Sequence, residues 1–577
     1  MNAHKSTENF LRMVESMAPQ YESLMPRDSV DEFLRYLGRY SVHSKYMREL
    51  SIDDIVPIQE DWELCLEQDA SDAAAAAAPS MDAPFIENLR RADEEARQRR
   101  EKEKSGGGGA SSSSSSAESA SSGAGATAGV DAKANSPSGG GQGQKTKQRV
   151  KCCAYKSIPT CPDSMNLTHE VLNKLAILRL NGGLGTSMGC QGPKSVIEVR
   201  NSLSFLDMAV RQVEFLNTKH GVDVPLILMN SFNTDKETKR LLSRYDDRHV
   251  SIKTFCQSCF PKLDRSTVTP LANGKFTKSS QDMWYPPGHG DVYTSISRCG
   301  LLEELISMGK EYLFISNIDN LGATVDLNIL YYLMLNESSF CMEVTKRERQ
   351  DVSGGTLVEH KGKPLLLENS ALPKVLGDTL RRDKRFDKFN TNNLWVNLRE
   401  LQRLVSVKRS LDLQVIARDR LAIDGAGEEV TCLMFETAAG AAINLFDKVN
   451  VVVVPRSRFL PVKTTSDLFA VQSDLFIVKH GSLALSKRRT ISPPVPTVKL
   501  GPCFRTVEEY TRRLPFGVPD LIDLEHLTVS GDVHFRNHVQ LKGTVIIVAE
   551  EGSHIDICSG SVIRDKVITG NLRIMDH

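Results

Sequence analysis

Short apolar runs alternate with longer stretches of helical spacing through most of the chain. The clearest runs lie at residues 175–178, 224–229 and 312–315, and each is followed by a helical stretch. Alternation of this kind is typical of an α/β protein in which helices cover both faces of a mostly parallel sheet. We therefore predict a Rossmann-like, doubly wound mixed sheet as the centre of the molecule.

The pattern changes towards both ends of the chain. Near the N-terminus, apolar residues recur at helical spacing: Phe10, Val14, Met17, Val30, Phe33, Leu34 and Leu37. This spacing predicts an N-terminal helical segment at residues 1–68. After Leu527, short strand-like runs are separated by glycine, as at residues 528–531, 541–545 and 568–571. This rhythm predicts a C-terminal parallel β-helix at residues 481–577.

Residues 69–150 have the composition of a low-complexity insert. They begin with an alanine run at residues 73–78, continue with a charged, helix-compatible segment at 85–104, and end in glycine, serine and alanine at 105–144. Such a sequence cannot bury enough apolar surface to offset the entropy of ordering it. We predict a flexible insert without chemistry, whose charged segment is a solvated face or, as the alternative, a partner-binding helix.

Overall charge and hydropathy exclude two classes of partner. The 72 basic residues balance the 72 acidic ones, so no general field attracts nucleic acid or an anionic membrane. No apolar run reaches the ~18 residues that span a bilayer, and the first residues lack the apolar core of a signal peptide. The expectation is a cytoplasmic protein that binds neither nucleic acid nor membrane.

The strongest chemical signal is a glycine-rich loop that follows the first apolar run. Residues 180–189 read Leu-Asn-Gly-Gly-Leu-Gly-Thr-Ser-Met-Gly, and Gly-Pro-Lys-Ser follows at 192–195. Glycine lets backbone N–H groups approach phosphate oxygens, and Lys194 adds a positive charge at the same place. The spacing fits neither the P-loop nor the dinucleotide-binding pattern. We interpret the loop as a triphosphate cradle, with an ordinary turn as the alternative.

This loop resembles the signature loop of the eukaryotic UDP-glucose pyrophosphorylases. Further similar blocks follow in the same order: Leu-Met-Asn-Ser-Phe-Asn-Thr at 228–234, Trp-Tyr-Pro-Pro-Gly-His-Gly-Asp at 284–291, Ser-Asn-Ile-Asp-Asn-Leu-Gly at 316–322, Phe-Asn-Thr-Asn-Asn-Leu-Trp at 389–395 and Pro-Arg-Ser-Arg-Phe-Leu-Pro-Val-Lys at 455–463. The resemblance covers Asn166 through His577. It departs at Gln191, where the family often has lysine, after residues 342–345, and in the insert.

The resemblance implies a nucleotidyltransferase domain at residues 151–480 that makes UDP-glucose and pyrophosphate from UTP and glucose 1-phosphate. It implies these UTP contacts: Leu180, Asn181, Gly182, Gly183, Lys194, Gln257, Gly288, Asn317, Ile318, Asp319 and Lys463. It implies these sugar phosphate contacts: Gly182, Gly183, His289, Gly355, Asn390, Asn392 and Glu436. Lys194 and Lys463 would be catalytic, Asp319 would bind Mg²⁺, and the C-terminal unit could join copies of the chain into homo-oligomers.

Several of these residues also have simpler interpretations. Asp319 follows the strand at residues 312–315, where ligands of open α/β sheets collect, but an aspartate there is also a common helix cap. Gln257 could be a buried amide bonded to main chain. Arg456 and Arg458 could be phosphate contacts or surface charges.

Three other functions compete with the one implied. The chain could be a pyrophosphorylase for another sugar 1-phosphate, such as that of galactose or N-acetylglucosamine. It could be an inactive sugar-nucleotide-binding scaffold, which the presence of Lys194, Asp319 and Lys463 argues against. A dehydrogenase is disfavoured because the dinucleotide pattern with its acidic residue is missing.

Overall fold

The computed structural model describes the chain in ten ranges. They are residues 21–22, 24–60, 83–106, 151–272, 278–348, 350–351, 354–408, 411–423, 427–570 and 573–574. The predicted alanine run, most of the glycine- and serine-rich part of the insert, and the predicted helical residues Phe10, Val14 and Met17 lie outside these ranges. No helix within them combines the length and apolar character needed to cross a bilayer.

A mixed sheet of eleven strands forms the centre of the fold. Its main strands, in spatial order, are Lys151–Ala154, Val449–Val453, Phe340–Lys346, Lys388–Asn397, Tyr312–Asn317, Leu175–Leu180, Leu226–Asn230 and Ile252–Cys256. Only Lys388–Asn397 runs antiparallel to its two neighbours in this path. The other seven are parallel, so their carboxyl ends meet at one edge, and Lys388–Asn397 brings its amino end to that same edge.

Three strands extend this sheet, and several short strands lie outside it. The extension consists of Ile55–Pro57, Gly355–His360 and Lys363–Glu368. Three of the short sheets are two-stranded: Glu198–Arg200 with Leu203–Ser204, Phe260–Pro261 with Trp284–Tyr285, and Phe476–Lys479 with Ser482–Leu485. A fourth sheet has three strands, in which Glu429–Thr437 pairs with Val415–Ile423 on one side and Leu263–Asp264 on the other.

Helices pack on both faces of the central sheet, as the alternating pattern predicts. The described ranges contain these α-helices, most of which pack on the sheet: Arg27–Glu49, Ala83–Gly106, Met165–Asn173, Phe205–His220, Asp235–Leu242, Val292–Arg298, Leu301–Ser307, Leu327–Leu335, Lys374–Arg382, Leu398–Lys408, Thr465–Gln472 and Val507–Arg513. Within Leu175–Leu180, Ile177 belongs to the core on one face and Leu178 to the core on the other. The prediction of a doubly wound α/β fold is confirmed.

Local sequence signals explain where individual helices begin and end. Phe205–His220 starts at a capping box, in which the Ser204 side chain accepts a hydrogen bond from the Asp207 N–H and the Asp207 carboxylate accepts one from the Ser204 N–H. The helix ends at Gly221, which adopts a left-handed conformation with φ +63°. These signals begin the helix directly after the short strand Leu203–Ser204, and its apolar residues pack into the core of one sheet face.

The N-terminal helix Arg27–Glu49 packs on the side of the molecule formed by the Val415–Ile423 hairpin. Val30, Phe33 and Leu37 are buried together with Phe260 and Phe435 in a separate apolar cluster. The helical spacing predicted for these N-terminal residues is therefore confirmed, and the helix lies near the chain segments that carry Gln257 and Gly288.

The helix Ala83–Gly106 lies inside the segment predicted to be a flexible insert. Phe85, Ile86 and Leu89 are buried in the core of one sheet face, and the Leu89 carbonyl accepts a hydrogen bond from the Tyr331 hydroxyl at 3.2 Å. The prediction of a flexible insert rested on the average composition of residues 69–150, in which these three apolar residues carry little weight. The amino end of this helix is therefore a packed part of the molecule rather than a solvated face.

The C-terminal part contains two parallel sheets. One consists of Thr497–Leu500, Leu524–Ser530, Gln540–Val548 and Val562–Thr569, and the other of Asp532–Phe535, His554–Ile557 and Arg573–Ile574. Phe535, Leu541, Val545 and Ile555 are fully buried between them. These residues belong to the same apolar cluster as the helices on one face of the central sheet.

Candidate active site

The glycine-rich loop leaves the strand Leu175–Leu180 at the carboxyl edge of the sheet. It doubles back on itself, because Leu184 and Pro193 form a bridge and the Lys194 N–H donates to the Gly183 carbonyl at 3.0 Å. The Asn181 amide donates to Asn230 at 2.7 Å and to Thr238 at 3.0 Å. These bonds hold the start of the loop and return Lys194 to its base.

Two lysines from distant parts of the chain meet on one carboxylate. The Asp319 Oδ2 atom lies 2.6 Å from the Lys194 Nζ and 2.7 Å from the Lys463 Nζ. The side chains of Asp319 and Lys194 are 7% and 10% exposed, whereas that of Lys463 is 50% exposed. The loop reaches Lys463 as well, since the Ser187 hydroxyl donates to its carbonyl at 3.4 Å.

The charge balance of this cluster keeps Asp319 ionised. Burial away from water would by itself raise the pKa of Asp319, but Lys463 and Lys194 outweigh it and lower the pKa to about 2. Burial also lowers the pKa of Lys194, and the Asp319 carboxylate opposes that change. At neutral pH the site holds one buried carboxylate, one buried lysine and a second lysine that faces solvent.

Gln257 packs against the first glycines of the loop. A Cβ atom on Gly182 would lie 2.1 Å from the Gln257 Nε2, so glycine here lets the Gln257 amide take this position. The Gln257 N–H donates to the Asn230 carbonyl at 2.9 Å. Its side-chain Oε1 is buried without a hydrogen-bond partner. The simple interpretation of a fully bonded buried amide is therefore wrong for this residue.

Gly288 and His289 pack against residues 436–439. Gly288 has φ +84°, and a Cβ there would lie 2.7 Å from the Thr437 carbonyl oxygen, so this position requires glycine. The Ala439 N–H donates to the His289 Nδ1 at 3.0 Å. Burial, and then Lys463, lower the pKa of His289 to about 4. The ring is neutral at pH 7, and the bond to Nδ1 leaves the proton on Nε2.

A β-bulge aims two asparagines at the same edge of the sheet. The pairing of Phe340–Lys346 with Lys388–Asn397 shifts between Glu343 and Val344, and Asn392 adopts φ +58°. The Asn392 amide donates to the Asn317 Oδ1 at 2.9 Å, while its own Oδ1 is buried and unpaired. The Asn392 N–H donates to the Asn390 Oδ1 at 2.9 Å.

The remaining sequence-predicted residues lie around this centre. The Ile318 N–H donates to the Leu180 carbonyl at 3.3 Å, which joins two neighbouring strand ends. Glu436 stands beside Gly288 and pairs with Arg418 at 3.2 Å. Gly355 begins the strand beside Glu368, and a Cβ on Gly355 would lie 2.9 Å from the Glu368 Oε1. Ile318 is therefore joined to the end of the strand Leu175–Leu180, Glu436 to Gly288, and Gly355 to the end of the strand Lys363–Glu368.

Glu368 is a candidate that the sequence analysis missed. Burial raises its pKa to about 7, and only Arg418 opposes the shift. It ends the strand Lys363–Glu368, and the sequence signal is slight: one glutamate after the run Leu-Leu-Leu at residues 365–367. A carboxyl group with a pKa near neutrality, next to Gly355, is a candidate for the same site.

Arg458 is neither the phosphate contact nor the surface charge that the sequence analysis considered. Its guanidinium makes a double contact with the fully buried Glu343 at 2.6 and 2.7 Å, and its carbonyl accepts a hydrogen bond from the Asn320 amide at 3.3 Å. It is neither a surface charge nor open to a phosphate. This ion pair fixes the segment before Lys463, and the Val462 N–H donates to the Asp319 carbonyl at 3.0 Å.

Arg456 is also engaged by carboxylates. Its guanidinium makes a double contact with Asp351 at 2.6 and 2.8 Å and lies 3.8 Å from Glu348. A phosphate would have to displace Asp351, so Lys463 is the cation of this segment that the structure presents to the site.

The oxygen atoms of Asp319 suit a hard cation whose remaining ligands come from a bound substrate and water. The described ranges contain no group of three or more His, Cys, Asp or Glu side chains arranged to hold a metal ion. Asp319 supplies one ionised carboxylate. Mg²⁺ commonly takes one or two carboxylate oxygens and completes its shell with phosphate oxygens and water, so this set fits Mg²⁺ bound together with a nucleotide.

Comparison with known proteins agrees with this geometry. A family profile described as UTP--glucose-1-phosphate uridylyltransferase matches residues 142–542. The enzyme of that name from Saccharomyces cerevisiae is 48% identical over 406 residues, which are 70% of this chain and 80% of the yeast protein. A probable enzyme of the same name from Schizosaccharomyces pombe is 46% identical over 418 residues, which are 72% and 81% of the two chains.

Solved structures show the same fold. The UDP-glucose phosphorylase of Trypanosoma brucei is 34% identical, with a TM-score of 0.66 over 74% of this chain and 91% of that one. A mutant UDP-glucose pyrophosphorylase from Leishmania major, solved in complex with UDP-glucose, is 33% identical, with a TM-score of 0.65 over 72% and 89%. From the sequence match and the shared fold, the chain belongs to the UTP--glucose-1-phosphate uridylyltransferase family.

Proposed function

We propose that the group of residues around Asp319 is where this nucleotidyltransferase makes UDP-glucose and pyrophosphate from UTP and glucose 1-phosphate. The observation that supports the location is the meeting of Lys194 and Lys463 on one buried carboxylate at the base of the glycine-rich loop. Two cations and a carboxylate at the carboxyl edge of an α/β sheet suit a polyphosphate and its metal ion.

In the proposed reaction, a phosphate oxygen of glucose 1-phosphate attacks the α-phosphorus of UTP and pyrophosphate leaves in line. The attacking phosphate has a second pKa near ~6 and is already ionised at neutral pH, so no general base is needed. Lys194 and Lys463 reduce the repulsion between the two anionic substrates and stabilise charge on the phosphoryl oxygens. The neutral His289 presents Nε2–H as a hydrogen-bond donor to the sugar phosphate.

Asp319 is the proposed Mg²⁺ ligand. Mg²⁺ bound there together with UTP would neutralise charge on the nucleotide phosphates, which is its usual role beside such groups. The two lysines that pair with Asp319 would then turn towards the phosphates themselves.

Gln257 and the Gly288 segment are proposed to contact uracil. The uracil edge presents an acceptor, a donor and an acceptor, so a side-chain amide with a free oxygen complements it. The buried, unpaired Oε1 of Gln257 supports this role. Leu180, Asn181, Gly182, Gly183, Asn317 and Ile318 are proposed to line the remainder of the nucleotide site.

Asn390, Asn392, Glu436 and the backbone at Gly355 are proposed to bind the sugar, with Glu368 as an addition. Amide and carboxyl groups discriminate against sugars that lack a hydroxyl, because their buried polar atoms are then left unpaired. The unpaired Oδ1 of Asn392 supports its place in this set.

A pH experiment tests whether Glu368 is neutral in the empty site. An unfolded glutamate releases its proton near 4.5, whereas folded Glu368 retains it until a pKa of about 7. The free energy of unfolding therefore falls as the pH rises through this window. Glu368→Gln removes that contribution, so its Tm relative to wild type should rise between about pH 5 and about pH 8. A constant difference in Tm would contradict the raised pKa.

Pyrophosphate release tests the function directly. With UTP and glucose 1-phosphate the protein is expected to release pyrophosphate and form UDP-glucose. Parallel assays with galactose 1-phosphate and N-acetylglucosamine 1-phosphate measure sugar selectivity. A faster rate with either of these would favour the other-sugar alternative, and no release with any of the three would support a binding scaffold.

Further features of the whole chain complete the proposal. We propose that the two C-terminal parallel sheets form successive coils of a parallel β-helix. The boundaries at residues 68, 150 and 480, location in the cytoplasm and assembly of copies through the C-terminal unit stay predictions.

A further inference from the structure

A buried polar network lies directly behind the proposed uracil end of the site. At its centre is Asp291, which is fully buried at the start of the helix Val292–Arg298. Its Oδ2 atom accepts hydrogen bonds from the Ser258 N–H and the Ser295 hydroxyl, both at 2.6 Å, and its Oδ1 accepts one from the Ser258 hydroxyl at 3.1 Å. Three donors therefore fix both carboxylate oxygens.

Asp291 fixes the peptide group next to Gln257 and thereby the direction in which the Gln257 side chain leaves the backbone. The Gln257 N–H is held by the Asn230 carbonyl at 2.9 Å, and the next N–H along the chain, that of Ser258, is held by Asp291. With both peptide groups fixed, the Gln257 side chain emerges towards Gly182. Its Nε2 lies against Gly182, and its Oε1, on a residue only 8% exposed, is buried without a hydrogen-bond partner.

Asp291 also connects the Gln257 segment to the segment that carries Gly288, which we call the Gly288 wall of the proposed uracil site. Asp291 ends the segment Gly-His-Gly-Asp, and its N–H donates to the Gly288 carbonyl at 3.4 Å. One residue thus joins the two chain segments assigned to uracil, which are more than thirty positions apart in sequence.

The N-terminal helix Arg27–Glu49 supports this network from outside. The Glu32 Oε2 lies 3.0 Å from a guanidinium nitrogen of Arg298, and Arg298 donates to the Ser258 hydroxyl at 2.9 Å and to the Ser295 hydroxyl at 3.1 Å. Glu32 is 6% exposed although it lies far from the catalytic segments in sequence. A buried carboxylate on this helix therefore acts on the same two serines that bind Asp291.

A second contact from this helix reaches the Gly288 wall. The hydroxyl groups of Tyr36 and Thr437 lie 3.2 Å apart, and the Thr437 N–H donates to the Pro287 carbonyl at 2.9 Å. A Cβ on Gly290 would lie 2.5 Å from the Thr437 hydroxyl oxygen. The helix consequently braces both walls of the proposed uracil site.

We propose that Asp291 is a positioning residue for uracil recognition, supported from the N-terminal helix by Glu32 through Arg298. The inference rests on the proposed function, in which Gln257 and Gly288 contact uracil. Asp291 itself touches no substrate. It fixes the peptide that carries Gln257, so its loss is expected to weaken UTP binding and base selectivity while the phosphate chemistry stays intact.

Steady-state kinetics of Asp291→Asn test the proposal. Asparagine has one acceptor oxygen in place of two, so it cannot accept all three hydrogen bonds and holds the Gln257 segment less firmly. We therefore expect KM for UTP to rise about 10-fold, equivalent to ~1.4 kcal/mol. KM for glucose 1-phosphate is expected to stay unchanged, and kcat to change by less than about 3-fold. The preference for UTP over CTP should fall, a result that a general loss of stability would not produce.

Glu311→Gln is the matched control. Glu311 is also a buried carboxylate, 4% exposed and paired with Lys174 at 2.7 Å, but it lies at the amino edge of the central sheet. This variant should lose stability without changing KM for UTP or the preference for UTP over CTP. Glu32→Gln should change both quantities in the same direction as Asp291→Asn, but less.

A double-mutant cycle with Gln257→Ala separates this inference from the proposed function. If Asp291 acts through Gln257, Asp291→Asn adds little to KM for UTP once Gln257 is already alanine. Fully additive effects, or an Asp291→Asn enzyme with unchanged KM and base preference beside an impaired Gln257→Ala, would overturn the positioning role. No effect from Gln257→Ala would instead overturn the proposed uracil contact.

Ser258→Ala gives the answer if Asp291→Asn does not fold. It removes the hydroxyl that donates to Asp291 and accepts from Arg298, but retains the Ser258 N–H. The expected result is an increase of about 3-fold in KM for UTP with kcat unchanged. An unchanged KM for UTP in this variant would overturn the proposal.

Discussion

Asp319→Asn is expected to reduce kcat by about 10²–10³-fold, the loss seen when one group that stabilises transition-state charge is removed. The substitution retains the shape of the side chain but replaces an ionised carboxylate, whose pKa is about 2, by a neutral amide. The proposed Mg²⁺ ligand is then lost. The Mg²⁺ concentration needed for half-maximal activity should therefore rise, which a titration of activity against Mg²⁺ measures.

The same variant should be less stable, and this effect has to be separated from the loss of activity. Lys194 remains buried with a weaker partner, so the free energy of unfolding should fall by about 1–3 kcal/mol. Glu311→Gln serves as the control, because it also weakens a buried ion pair but lies away from the site. If Asp319→Asn retained the wild-type dependence on Mg²⁺, Asp319 would not be the metal ligand.

Lys463→Ala is expected to reduce kcat by about 10²–10³-fold with little loss of stability. The Lys463 side chain is half-exposed, and Asp319 keeps its bond to Lys194 after the substitution. What disappears is the cation that faces solvent at the mouth of the site, where the nucleotide phosphates are proposed to enter. Single-turnover measurements of pyrophosphate release at saturating UTP would report this step.

Lys448→Ala is a closely matched control for this variant. The Lys448 side chain is 52% exposed, like that of Lys463, and it also pairs with a carboxylate, that of Glu337 at 3.3 Å. It lies just before the strand Val449–Val453, at the amino edge of the sheet. Its kcat should equal that of wild type. Equal activity of the two alanine variants would remove Lys463 from the mechanism.

The pattern of apolar residues was sufficient to predict the fold class. The runs at residues 175–178, 224–229 and 312–315 correspond to the strands Leu175–Leu180, Leu226–Asn230 and Tyr312–Asn317. These strands are buried on both faces, which makes their sequence signal continuous and clear. The antiparallel direction of Lys388–Asn397 against its two neighbours was not predictable, because strand direction depends on which neighbours pair and not on composition.

The insert shows the limit of averaging composition over a long segment. Phe85, Ile86 and Leu89 are only three apolar residues among many charged ones, yet they anchor the helix Ala83–Gly106 to the core. Helical spacing groups them on one face, and that grouping matters more than their number. A prediction made residue by residue could have found this contact.

The sequence by itself determined the family, the alternation of strands and helices, and the identity of most of the side chains at the site, because these depend on residue type and local spacing. The tertiary structure alone decided that Lys194 and Lys463, which are 125 and 144 positions from Asp319, share its carboxylate. It also decided that Asn392 turns towards Asn317 at a bulge, that Arg458 pairs with Glu343, and that Glu32 pairs with Arg298, which donates to the Ser258 hydroxyl. These contacts depend on strand order and on packing between distant segments, which local spacing does not encode.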